Sequence, residues 1–170
     1  MKRTIRNLFC LSAFIIGLTI SPNLFAQHSG EYHTAIGLRA GGTSGLTFKH
    51  FSNSHRAFEG ILSFWNRGFG LTGLIEHHSH TGAPGLKVYY GAGGHVAFYS
   101  RDGYYRDYDW YYHDYDNGVS LGIDGIVGLE YKIPPIPVAF SIDLKPMIDI
   151  HSSGLVGFGL DPGLGIKVAF

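Results

Sequence analysis

Eight stretches of the chain alternate large apolar residues with small or polar ones at a period of two, and eleven of the charges within them share one parity. That period belongs to the β-strand, whose successive Cβ atoms point to opposite faces. The stretches run Tyr32 to Ala40, Leu46 to Phe51, Arg56 to Trp65, Phe69 to His78, Leu86 to Tyr99, Val119 to Tyr131, Pro137 to Ile150 and Pro162 to Phe170. Eleven charged residues inside them sit on the less apolar parity: Arg39, Lys49, Glu59, Glu76, Lys87, Asp124, Glu130, Asp143, Lys145, Asp149 and Lys167. Ile61, Leu74 and Ile126 break the pattern by standing among the polar positions, and Pro146 by standing among the apolar ones; local bulges would absorb such misfits. Gly, Pro, Asn and Ser cluster between the stretches, at Gly41 to Gly45, Ser52 to His55, Asn66 to Gly68, Ser79 to Gly85 and Lys132 to Ile136, as turns require. Ser100 to Asn117 is expected to be a long loop, and His151 to Asp161 the last loop before the closing strand.

Alternation alone leaves two all-β solutions, a soluble lipocalin-like barrel with its apolar face inward and a transmembrane barrel with that face in lipid. The polar parity discriminates between them. Between its charges it carries Gly37, Gly91, Gly93, Gly122, Gly128, Ala35, Ala97 and Ala139, small residues rather than the Lys, Glu, Thr and Gln of a solvated surface. Eight strands enclose an interior only wide enough for side chains. Small residues interleaved with five basic and six acidic ones therefore suit a lumen filled by internal ion pairs. A Lys or Arg moved to the lipid face would cost about 2–4 kcal/mol at the midplane. The expected fold is an eight-stranded antiparallel up-and-down transmembrane β-barrel. With both termini on the periplasmic side, the connection Ser100 to Asn117 faces outward.

The first residues support export. Lys2, Arg3 and Arg6 precede an apolar run from Leu8 to Ile20 and the segment Ser21 to Gln27, the layout of a secretory signal peptide with cleavage expected after Ala26. The run is shorter than the ~20 residues of a spanning helix. Cys10, the single cysteine, falls inside this leader. Residues 27–170 would then form one barrel domain, with 10 basic against 13 acidic residues, a balance that excludes nucleic acid as a natural partner. Localisation is expected in the bacterial outer membrane.

The last stretch sets Leu164, Ile166, Val168 and Phe170 against Gly163, Gly165, Lys167 and Ala169, and would pair with the first to abolish the sheet edges. In this whole pattern the chain resembles the small eight-stranded outer-membrane barrels of Gram-negative bacteria, of the outer membrane protein A and X type. The segments Gly85 to His95 and Gly122 to Tyr131 also resemble uncharacterised proteins of that kind. The resemblance implies that Phe170 is read as an insertion signal by the outer-membrane insertion machinery, and that outer-membrane lipid and lipopolysaccharide surround a monomer without cofactor.

Three groups of residues carry candidate chemistry. The loop from Arg101 to Asn117 holds Tyr104, Tyr105, Asp107, Tyr108, Asp109, Trp110, Tyr111, Tyr112 and Asp114, a composition suited to an extracellular ligand or surface partner, since Tyr and Trp give contact area at low entropic cost. Its carboxylates do not follow an EF-hand spacing, so calcium is a weak reading, and the aromatics also suit an interfacial girdle. His33, His50, His55, His77, His78 and His80 gather towards the periplasmic rim, where they serve as boundary residues more readily than as a zinc site. His151, Ser153 and Asp161 superficially resemble the catalytic Ser, His and acid of the lipid A deacylases, with loop chemistry at Asp161-Pro162-Gly163 an equal explanation.

Overall fold

A computed structural model describes residues 31–65, 68–100 and 118–170. The leader and the loop residues 101–117, with Tyr104 to Asp114, lie outside the described residues. Eight strands follow one another: β1 (Thr34–Gly41), β2 (Ser44–Asn53), β3 (Arg56–Trp65), β4 (Gly68–His80), β5 (Leu86–Tyr99), β6 (Gly118–Ile133), β7 (Val138–His151) and β8 (Val156–Ala169). Each pairs antiparallel with its sequence neighbour, and β1 pairs with β8, so the sheet closes in up-and-down order. Closure leaves no strand edge unpaired. Beyond β8, the Phe170 carbonyl accepts from the Thr34 amide at 2.8 Å and its amide donates to the Thr34 carbonyl at 2.8 Å.

The ladders keep one register throughout, apart from an irregularity between Phe51 and Asn53. Ile61, Leu74 and Ile126 are therefore not turned outward by bulges. They stay on the inner face, buried with Tyr89 in one apolar cluster part-way along the interior. Pro146 lies on the outer face beside Gly125, and the β6–β7 pairing is interrupted there without a change of register, because a proline has no N–H to give.

The expected last loop is corrected to four residues, 152–155, and the closing strand begins at Val156 instead of Pro162. Asp161 is an inward strand residue with no exposed surface, not part of a turn. Its neighbour Pro162 is tolerated in the strand because its backbone faces the end of β1, where the Gly42 amide donates to its carbonyl at 3.1 Å. Along an antiparallel strand a residue's N–H and C=O point to the same side, so the missing N–H falls where β1 has already stopped.

All eleven charges of the polar parity are buried inside, between 0% and 8% exposed. Large apolar side chains are exposed outside on all eight strands, among them Ile36, Leu46, Phe58, Leu71, Tyr90, Ile123, Ile142 and Leu164. Arg56, at the first position of β3, is exposed at the rim.

Candidate functional site

The interior is the part of the molecule where polar chemistry concentrates, and the cluster of Ile61, Leu74, Tyr89 and Ile126 divides it into two halves. One half lies towards the chain termini and the other towards the connection from Tyr99 to Gly118. In the termini half, the Lys49 ammonium is surrounded by three carboxylates, Glu76 at 2.7 Å, Glu59 at 3.0 Å and Glu130 at 3.3 Å. Lys167 bridges Glu59 at 3.0 Å and Glu130 at 3.6 Å. Thr47 donates to Glu59, and the Tyr32 hydroxyl donates to Glu130 at 2.6 Å. Burial first, and then that carboxylate, push the Tyr32 phenol well above its ordinary pKa, so it stays a neutral donor.

His78 is drawn into this network, with Nε2 2.9 Å from Glu76 and its ring stacked on Tyr89 at 5.0 Å. Lys87 reaches over the Phe51 ring, 5.1 Å from its centroid. Lys132, at the rim, donates to the carbonyls of Ile136 and Ile133.

In the other half, Arg39 forks between Asp143 at 2.7 Å and Asp161 at 2.9 Å. Asp161 also accepts from the Thr43 hydroxyl at 2.7 Å and the Thr43 amide at 3.0 Å. Lys145 lies 3.2 Å from Asp124 and 3.6 Å from Asp161, and His95 Nδ1 is 2.8 Å from Asp124. Tyr89 joins the halves: its ring lies 4.4 Å from the Lys49 ammonium and its hydroxyl donates to Asp143 at 3.1 Å. Glycines supply the room. A Cβ on Gly128 would come within 2.7 Å of the Tyr89 hydroxyl, and one on Gly163 would collide with the Arg39 guanidinium.

Such pairs are paid for by desolvation, and a buried charge is tolerated only when its partners are complete. The networks therefore fix which side chains face one another across the barrel more than they add stability. Near the connection from Tyr99 to Gly118 the packing opens into a cavity of about 60 Å³, bordered by Trp65, Thr72, His95, Tyr99, Lys145, Met147 and Asp149.

The candidate catalytic residues do not assemble. His151 Nδ1 lies 2.8 Å from the Ser153 hydroxyl and also accepts from the Ser153 amide at 3.2 Å, a local turn contact. Asp161 is opposite Lys145, six residues down β7 from His151, which puts it about 20 Å away along the strand. Its oxygens are committed to Arg39 and Thr43. The histidines also separate: His33, His50, His55, His77 and His80 are exposed near the rim, with the His55 ring 5.9 Å from His77 and 6.3 Å from His80, whereas His78 is inside. Among the described residues no group of three or more His, Cys, Asp or Glu side chains is placed to hold a metal ion.

Sequence reasoning put Thr47, Tyr89 and His95 on the charged parity without giving them partners, left out Tyr32, Thr43, Trp65 and Tyr99 as interior residues, and placed Asp161 in a loop. Parity is the signal that finds several of them, since Thr47, Trp65, Tyr89 and His95 stand on the same parity as the charges of their own strands or of their neighbours. Comparison with models of protein families, with curated proteins and with solved structures finds no match to this chain.

Proposed function

We propose that the protein is an outer-membrane β-barrel whose lumen is closed by its own side chains, acting as a structural or surface-interaction protein through the outward connection around residues 101–117. One observation carries this reading: the barrel has its charges inside and large apolar side chains exposed on every strand. A soluble monomer seldom exposes more than a few hundred Å² of contiguous apolar surface, whereas a lipid-embedded barrel requires a continuous apolar band. Strand lengths agree, since six of the eight strands have 10 to 14 residues, β6 has 16 and β1 has 8, against the ~9–11 that cross a bilayer when tilted.

Paired, buried side chains along the interior favour a closed lumen over a wide channel. The partners of this reading are outer-membrane lipid and lipopolysaccharide around the barrel, the insertion machinery at Phe170, and an extracellular ligand at the aromatic, acidic connection. Folding into detergent or liposomes tests it. The expected result is heat-modifiable gel migration, full retention in the lipid phase and no porin-like conductance across a planar bilayer. A monomer that stays soluble without detergent, or large stable conductance steps, would overturn it.

A further inference from the structure

Of the charged residues in the eight strands, Arg56 is the one that stands on the outer parity; the others are buried inside. β3 turns Ala57 and Glu59 inward, and Arg56 and Phe58 outward. On the outer face of a membrane barrel a basic side chain is costly at the midplane and close to neutral at the interface. Arg56 is the first residue of β3, at the terminal end of the barrel, which is the interface level.

The ladders set its neighbours on that face. Arg56 is directly opposite His77 of β4, and His77 is directly opposite Tyr90 of β5. Such opposed residues bring their Cβ atoms to about 5 Å of one another. The exposed His77 ring lies 5.4 Å from the Tyr90 ring and 5.9 Å from that of His55, which precedes Arg56 in the β2–β3 turn. A guanidinium and two imidazoles, all able to donate, therefore form a row that ends on a tyrosine, a side chain suited to headgroup level. The carboxylate of Glu31 lies 3.5 Å from His80, which stands on the other parity of β4.

The next row towards the barrel centre is apolar. Phe58 is opposite Ile75, and Ile75 is opposite Ala92, with Phe58 47% and Ile75 55% exposed. Beyond it Gly60 is opposite Gly73, and a Cβ on either would meet nothing within 4 Å, so the face is low there. Charge complementarity calls for an anion at the donor row, and the apolar row beside it calls for hydrocarbon joined to that anion. A soluble anion would leave Phe58 and Ile75 unused.

We infer that this face binds an anionic glycerophospholipid, its phosphate on Arg56 and His77 and an acyl chain over Phe58 and Ile75. The inference rests on the lipid-facing reading of the barrel proposed above, and the experiment separates the two. The folded full-length chain is placed in phosphatidylcholine liposomes, with Trp65→Phe and Trp110→Phe removing both tryptophans and Leu71→Trp supplying a reporter on the outer face of β4. Brominated phosphatidylglycerol or brominated phosphatidylcholine then replaces part of the lipid, at equal mole fractions. Quenching by either lipid reports contact with acyl chains, and excess quenching by phosphatidylglycerol reports preference for the headgroup.

The expected result is a preference of about fivefold for phosphatidylglycerol, the attraction one basic residue has for an anionic lipid surface. It should be lost when Arg56→Gln and His77→Gln are combined, and be absent for a Leu164→Trp reporter on β8, across the barrel from β4. If the combined variant does not insert, Arg56→Gln alone takes its place, and the same loss is expected. Equal quenching by the two lipids, a preference that survives the substitutions, or the same preference at Leu164→Trp overturns the inference while the lipid-facing reading stands. Quenching by neither lipid overturns both.

Discussion

The two halves of the interior are built on the same scaffold and solve the same problem differently. Towards the termini each carboxylate has a cation or donor within hydrogen-bond reach: Glu59 and Glu130 share Lys49 and Lys167, and Glu76 takes Lys49 and His78. Towards the connection from Tyr99 to Gly118, Arg39 and Lys145 are shared among Asp124, Asp143 and Asp161, and a cavity remains beside Asp149. Carboxylates that share Lys49 and Lys167 make the first half a fastening for the barrel. Free space bordered by Trp65, Thr72 and Asp149 distinguishes the second half.

The comparison can be broken at its centre with the largest effect. Lys49→Met would leave Glu59, Glu76 and Glu130 converging on an apolar side chain, and loss of one partner from a buried network costs about 3–5 kcal/mol. Urea unfolding followed by heat-modifiable migration should show the variant strongly destabilised; near wild-type stability would mean that Lys49 is not the hub. The contrast between inside and outside comes next. Ile123→Arg places a cation on the exposed face one residue from buried Asp124, and in a bilayer it should cost about 2–4 kcal/mol, while the same variant in a soluble barrel would be close to neutral.

Tyr89→Phe sharpens the link between halves. It keeps the ring against Lys49 and His78 and removes only the bond to Asp143, a loss of about 1–3 kcal/mol because an acceptor is left short of a partner in the interior. Deleting residues 104–115 should have the smallest effect on folding. The barrel is expected to keep its heat-modifiable form, and failure to fold would make that connection part of the scaffold.

The sequence made the faces readable and left the partners hidden. Alternation with period two tells which side a residue takes, and Arg39, Glu59 and Lys145 could be placed inward on that ground alone. Partnership in a barrel depends on height and on which strand lies opposite, and the bonded pairs are remote in sequence: Tyr32 with Glu130 is 98 residues apart, Arg39 with Asp161 is 122. Ile61, Leu74 and Ile126 looked like faults because a polar face was expected to be polar throughout. They form the apolar layer between two charged ones, which only the closed register could reveal.

Asp161 was misread for a different reason. Asp, Pro and Gly in succession carry strong turn chemistry, yet Val156, Phe158 and Leu160 before them already keep the parity of β8. The punctuation was local, and the alternation that overrode it was longer. The candidate catalytic set lost its acid through the same correction.

The central claim is that the apolar face meets lipid while the charged face meets only protein. Depth-resolved fluorescence quenching by brominated lipids tests it directly, in a Trp110→Phe background. Trp65, on the inner face, is compared with a tryptophan introduced as Leu164→Trp on the outer face in a chain also carrying Trp65→Phe. The expected result is strong quenching of the outer probe and little of Trp65. Equal quenching of the two, or none of the outer probe in protein incorporated into liposomes, would contradict the account.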